Sequence, residues 1–248
     1  MVTGAGGGLG RVTAERFARA GDRIYGCDIS PSAVEELTSS EVTALAQVVD
    51  VSDRRQVDSF FDAIGAITSR VDVLINNVGI AGPAAPVEDV TPEQWATTLD
   101  TNLNAAFWAV RRVLPGMKVA RAGVILCVST FSVRTLPERR APYVVAKAAL
   151  ESLSLMISRE AGPYNVRSNV VRPGAMDNDR LLRVLARAAQ RTGQTPHDVE
   201  KELLSYVSMR SKVSMDEVAD VLFFLASDAA AHITSQVIAV DGGVQWEA

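Results

Sequence analysis

Tyr143 and Lys147 stand four residues apart in PYVVAKAAL. On a helix that spacing puts both side chains on one face, about one turn from each other. A phenol is a poor base, with an ordinary pKa near ~10. A neighbouring ammonium stabilises the phenolate, and a fall of about two to three units would let Tyr143 exchange a proton near neutral pH. The pair alone is a common surface arrangement, so its meaning rests on what surrounds it. The second chemical signal is TGAGGGLG, residues 3–10. Glycines at Gly4, Gly8 and Gly10 would let the backbone around Leu9 approach a pyrophosphate. The helix that follows offers free N–H groups and positive dipole character.

The elements that must position these groups are legible in order. After the glycine turn, Leu9, Val12, Phe17 and Ala20 form an apolar helical stripe, and Gly21 is a stop signal. Residues 23–28 read as a strand ending in Asp28, 24 residues after Gly4. A glycine turn before a helix and a strand ending in an acid form the context of a dinucleotide site. A carboxylate there would bind the adenosine ribose hydroxyls and repel a 2′-phosphate, which favours NAD(H) over NADP(H). No Arg or Lys lies in the glycine loop or directly after Asp28 to hold that phosphate. The competing reading is that Asp28 merely opens the turn to Ser30 and Pro31.

Further strands are expected at 42–51 with Asp50 near its end, 71–76 running into Asn76 and Asn77, 123–129, 166–171 and 237–240. Helices are expected at about 53–67, 92–117, 143–161, 179–192, 197–208 and 216–226. Asn102 falls in the middle of the second, a costly place for an amide unless it bonds to something. Strand and helix alternate without linker or repeat. This predicts a single α/β domain over 1–248, a Rossmann-type doubly wound parallel sheet with helices on both faces. In such sheets ligands bind outside the carboxyl ends of the strands, where Gly4 to Gly10, Asp28, Asp50, Asn77, Thr130 and Pro173 all fall. One feature fits less well. Only Met1, Val2 and Thr3 precede the first glycine. A three-residue stub in a central strand would leave its neighbours' backbone groups poorly paired, so residues are expected to be missing at the start.

Composition sets outer bounds. The 248 residues are 48% hydrophobic and 22% charged, an ordinary globular balance. A net charge of −4 gives no reason to expect nucleic acid or an anionic membrane as partner. No apolar run approaches the roughly 20 residues of a membrane helix, and no signal peptide is visible. Cys27 and Cys127 sit among apolar neighbours and read as buried free thiols in a reducing cytoplasm. Two distant histidines provide no metal-ligand cluster.

Taken together these residues resemble the short-chain dehydrogenase/reductase family over essentially the whole chain. TGAGGGLG matches its cofactor loop, NNVG (Asn76 to Gly79) resembles its NNAG signature with Val78 for Ala, and YVVAK matches YxxxK. The resemblance implies Asn102, Thr130, Tyr143 and Lys147 as catalytic residues. Thr130 stands thirteen residues before Tyr143, where the family has a serine, with Ser129 as second choice. It implies further that Asp50 and Val51 border the adenine, and that Asn77 and Gly79 lie at the cofactor. Pro173, Gly174 and Asn178 would meet the nicotinamide, Asn178 replacing the usual threonine. The implied reaction is hydride exchange between NAD(H) and a small secondary alcohol or its ketone. The C-terminal run looks like the branch with bacterial dihydrodiol dehydrogenases. A 3-oxoacyl thioester reductase using NADPH and a non-catalytic dinucleotide-binding sensor or scaffold are the alternatives. The resemblance also implies a homotetramer or dimer built through the 92–117 and 143–155 helices.

Residues 179–210 are longer than a simple connection and are expected to form a substrate lid. Arg180, Arg183, Arg187 and Arg191 recur there at three- and four-residue spacing. A solvated face is the preferred reading of that stripe over a site for an anionic substrate. Arg139 and Arg140, just before Tyr143, are nearer the chemistry and could meet a carboxylate, but the preferred reading is again an exposed position.

Overall fold

The computed structural model describes residues 1–39 and 43–244. Its strands are β1 (Val2–Thr3), β2 (Ile24–Asp28), β3 (Thr43–Val48), β4 (Val73–Asn76), β5 (Gly123–Val128), β6 (Val166–Pro173) and β7 (Val237–Val240). Its α-helices are α1 (Gly8–Ala18), α2 (Pro31–Thr38), α3 (Arg54–Gly65), α4 (Pro92–Leu99), α5 (Ala105–Ala120), α6 (Ser132–Thr135), α7 (Ala141–Ala161), α8 (Asp179–Thr192), α9 (Pro196–Ser205) and α10 (Met215–Ala226). Val42, the expected start of the third strand, lies outside the described residues. All strand pairs are parallel, in the order β3-β2-β1-β4-β5-β6-β7. The chain thus winds outward in both directions from β1, and the order reverses between β1 and β4. That reversal opens the crevice in which doubly wound sheets bind ligands.

Because successive strand residues face opposite sides, the central strands feed two cores. Leu74, Ile125, Cys127 and Val170 pack with Phe60, Met117, Leu150 and Ile157 from α3, α5 and α7. Ile75, Leu126 and Val171 pack with Phe17, Leu222 and Leu225 from α1 and α10. A strand covered on both faces reads as an unbroken apolar run, which is why 71–76 and 123–129 were recognisable. The same alternation matters one step further on, where β5 ends beside Ser129 and Thr130.

Two departures from expectation concern the site. The helix expected over 92–117 is interrupted by a π-turn at Asp100–Asn104 before α5 resumes and runs to Ala120. The wider turn admits the Asn102 side chain, whose Nδ2 donates to the carbonyls of Thr98 (2.8 Å) and Ile80 (3.2 Å). The NH2 half of the amide therefore finds partners. The second departure is β1. It is only two residues long, yet Val2 pairs with Gly26 and Ile75, and Thr3 with Cys27. Met1 extends the ladder, its carbonyl accepting from the Ile75 N–H (2.9 Å) and its amine donating to the Val73 carbonyl (3.0 Å). Among the described residues no helix is long and apolar enough to cross a membrane.

Candidate active site

A cleft of about 1680 Å³ runs along the carboxyl ends of the strands. The glycine turn and the ends of β2 and β3 form one end, the start of α7 the centre, and α8 with α9 the other end.

At the first end Gly4 (φ +66°) and Gly8 (φ +52°) hold left-handed conformations that favour glycine. Gly10 is fixed by crowding, because a Cβ there would lie 1.9 Å from the Gly4 carbonyl oxygen. Gly7 and Gly8 present the opposite situation, with nothing within 4 Å of a would-be Cβ. Both border the cleft, together with Leu9. Gly7 caps α1 without any side-chain hydrogen bond to the first turn, so those N–H groups remain available to an anion. Asp28 accepts from the Gly6 N–H (3.1 Å) through Oδ2 and from the Ser30 N–H (3.0 Å) through Oδ1. It therefore does open the turn to α2, while its carboxylate stays at the cleft wall. Asp50 is tied to Ser52, accepting from its N–H (2.9 Å) and Oγ (2.6 Å), and borders the cleft beside Val51. Asn77 donates through Nδ2 to the Thr3 carbonyl (3.0 Å), pinning β4 to the glycine turn. Thr3, which drew no attention in the sequence, accepts through Oγ1 from the N–H groups of both Asn77 (3.0 Å) and Val78 (3.2 Å).

The centre is built on α7, whose four-residue spacing brings Tyr143 and Lys147 to the cleft together. Both are buried. Lys147 Nζ donates to the Val128 carbonyl at the end of β5 (2.9 Å) and to that of Val78 (3.5 Å). Burial first, and the Arg180 guanidinium second, bring the Lys147 ammonium down to about 7. Gly79 separates Lys147 from Asn102, since a Cβ there would lie 2.7 Å from Asn102 Oδ1 and 3.1 Å from Lys147 Nζ. Asn102 Oδ1 is buried and accepts from no group among the described residues. Thr130 and Ser129 diverge as strand alternation requires. Ser129 Oγ donates to Glu151 Oε1 (2.5 Å) on α7, behind the sheet end. Arg172 clamps the same carboxylate through Nε (3.1 Å) and Nη2 (2.6 Å). Thr130 instead exchanges hydrogen bonds with Ser132, its Oγ1 lying 3.3 Å from Ser132 Oγ and accepting from the Ser132 N–H (3.2 Å). Ser132 also borders the cleft and was missed from sequence, for lack of any motif around it.

Beyond the centre, Gly174 packs against β7, where a Cβ would come within 2.7 Å of Asp241 Cα. Asn178 uses its Oδ1 to cap α8, accepting from the Leu181 N–H (2.9 Å), and leaves its Nδ2 for any other contact. The arginine stripe of α8 does not simply face water. Arg180, Arg183, Arg187 and Arg191 all border the cleft, as does Arg140. Arg180 reaches across it to donate to the Gly79 carbonyl (3.2 Å). Burial raises the Cys27 thiol to about 12 and the Cys127 thiol to about 11, so neither is a nucleophile at neutral pH.

A doubly wound parallel sheet, a glycine turn opening onto an uncapped helix and a buried Tyr–Lys pair together define a dinucleotide-dependent oxidoreductase. Residues 4–245 match the family model described as enoyl-(acyl carrier protein) reductase. The chain is 33% identical to 2,3-dihydro-2,3-dihydroxybenzoate dehydrogenase of Escherichia coli (strain K12), over 98% of this chain and 94% of that one. It is 30% identical to a 3-oxoacyl-[acyl-carrier-protein] reductase of Thermotoga maritima, covering 98% and 96%. Among solved structures, NAD+-bound xylitol dehydrogenase superposes with a TM-score of 0.91 at 28% identity, covering 98% and 96%. The chain belongs to the short-chain dehydrogenase/reductase family and is an oxidoreductase acting on CH–OH groups.

Proposed function

We propose that this protein is an NAD(H)-dependent oxidoreductase that interconverts a small polar or cyclic secondary alcohol and its ketone, with Tyr143 as general acid/base. The observation that carries the proposal is the pairing of buried Tyr143 and Lys147 on one face of α7 at the centre of the cleft. The bound nicotinamide dinucleotide supplies or accepts the hydride. Tyr143 takes the hydroxyl proton of the alcohol or returns it to the ketone oxygen, and Thr130 hydrogen-bonds that same oxygen. Lys147 stabilises the phenolate and holds the nicotinamide ribose, whose hydroxyl acceptors favour the ammonium over the neutral amine. Asn102, through its unpaired Oδ1, holds a water that links Lys147 to solvent. Gly4, Gly8, Leu9 and Gly10 receive the pyrophosphate, Asp28 the adenosine ribose, and Asp50 and Val51 the adenine. Asn77 and Gly79 line the path to the nicotinamide, which Pro173, Gly174 and the free Nδ2 of Asn178 meet. Residues 179–210 close over the substrate.

The Asp28 carboxylate supports NAD(H) over NADP(H), and among the described residues no arginine borders the cleft at that end. A relative named for 3-oxoacyl reduction keeps an NADPH-dependent thioester reductase as the second reading; the same carboxylate speaks against it. Exposed Phe107, Val145, Leu155 and Met156 on α5 and α7 support self-association as a homotetramer or dimer. Two buried free thiols suit the cytoplasm. Tyr143→Phe tests the central assignment. Turnover of a secondary alcohol should fall about 10²- to 10⁴-fold while NADH binding, read by fluorescence, is retained. A variant that keeps full activity would overturn the general acid/base role and revive the sensor reading.

A further inference from the structure

We propose that the substrate carries an oxyanion, a carboxylate or phosphate within a few bonds of the reacting carbon, held between Arg140 and Arg180. The inference rests on the oxidoreductase reading and deepens it. Arg140 Cζ lies 4.9 Å and Arg180 Cζ 5.5 Å from the centroid of the Tyr143 ring. Two cations thus share one aromatic ring, and that ring bears the hydroxyl that meets the substrate oxygen. Several arginines elsewhere in the molecule are neutralised: Arg11, Arg16, Arg54, Arg70, Arg112 and Arg172 each have a carboxylate partner. Among the described residues neither Arg140 nor Arg180 has one, and neither do Arg183, Arg187 or Arg191, which continue the stripe along the cleft.

A solvated helix face explains none of this. Arg180 lies partly buried and spans the cleft to the Gly79 carbonyl, and Arg140 is buried enough that desolvation lowers its pKa, with Arg180 and Arg187 adding to the fall. Guanidinium groups gathered in a cleft without counter-charges form a preorganised receptor for a planar carboxylate or a phosphate, which each fork can bind through two parallel hydrogen bonds. The proximity of both groups to Tyr143 sets the reach. An anion there is attached close to the carbinol carbon, as in a cyclic or short-chain hydroxy acid.

The test uses the full chain loaded with NADH and titrated with benzoate, its neutral isostere benzamide, and inorganic phosphate. Benzoate or phosphate should bind at least about tenfold more tightly than benzamide, and Arg140→Gln or Arg180→Gln should each lose about tenfold of that affinity. Arg180→Lys, which restores the charge, should recover part of it, and NADH affinity measured on each variant controls for folding. Preference for benzoate assigns a carboxylate substrate; preference for phosphate assigns a phosphate monoester. Equal binding of benzoate and benzamide, with phosphate no tighter, or glutamine variants that keep the parent's anion affinity, would overturn the proposal. If the parent showed no anion preference yet oxidised neutral secondary alcohols in a Tyr143-dependent way, the oxidoreductase reading would stand and the anion subsite alone would fall.

Discussion

The two ends of the cleft are built by opposite means. At the glycine-turn end the parts are held by backbone: Asp28 is fixed by two N–H groups, Asn77 by the Thr3 carbonyl, and Gly10 by contact with Gly4. The charged groups that border the cleft there, Asp28 and Asp50, are negative. At the α8 end the parts are long side chains. Arg180 reaches across the cleft to the Gly79 carbonyl, and the arginines that line this end have no carboxylate partner among the described residues. A shared cofactor needs an invariable cradle, whereas a substrate pocket can change by exchanging side chains on two helices.

Substitution can break this contrast at either end. Gly10→Ala should have the largest effect on function, with NADH binding abolished and about 3 kcal/mol of destabilisation from overpacking against the Gly4 carbonyl; fluorescence titration and denaturant unfolding check both. Asp28→Ala should shift the NADH-to-NADPH affinity ratio about tenfold or more toward NADPH, by removing charge-assisted hydrogen bonds to the ribose and the repulsion of a 2′-phosphate. An unchanged ratio would mean that Asp28 serves only its turn.

Between the two ends, Lys147→Met probes the burial of charge. The folded-state pKa is lowered from 10.5 to about 7, so between those values the unfolded chain holds a proton that the folded chain has released. The parent's stability should therefore rise with pH across that window relative to the variant, at up to about 1.4 kcal/mol per pH unit. The parent's disadvantage should be greatest at and below pH 7. Parallel stability–pH curves for the two proteins would contradict the burial of that charge. The smallest effect is expected at the far end of α8. Gly193 has a positive φ (+72°) but nothing within 4 Å of a would-be Cβ. Gly193→Ala should cost only about 1 kcal/mol, the strain of a left-handed alanine.

Much of the cofactor end was legible because its signals are local. Glycines, a strand-ending acid and apolar runs are set by backbone physics that a short window of sequence contains. Tyr143 and Lys147 were legible for the same reason, being one helical turn apart. Thr130 was separable from Ser129 because side chains alternate along a strand, and Ser129 indeed turns away to Glu151. What escaped depends on long-range packing. At the π-turn the Asn102 amide donates to the Ile80 carbonyl, 22 residues away, as well as to that of Thr98 one turn back. Thr3 matters through β4, more than seventy residues away. The arginine stripe reads as a solvated face from spacing alone, since periodicity says which residues share a side and not what that side meets. The capping of α8 by the Asn178 oxygen, a role that Asn shares with Ser, Thr and Asp, is not signalled by its spacing from Gly174.

The contrast between the two ends is tested most directly by a parallel fluorescence titration of the protein with NADH and NADPH, repeated with benzoate present. NADH should bind at least about tenfold more tightly than NADPH, from the Asp28 carboxylate, with a further benzoate-dependent change in the NADH signal at the arginine end. NADPH binding equal to or tighter than NADH would contradict the assignment of the acidic end and move reductive acyl-type chemistry to the front.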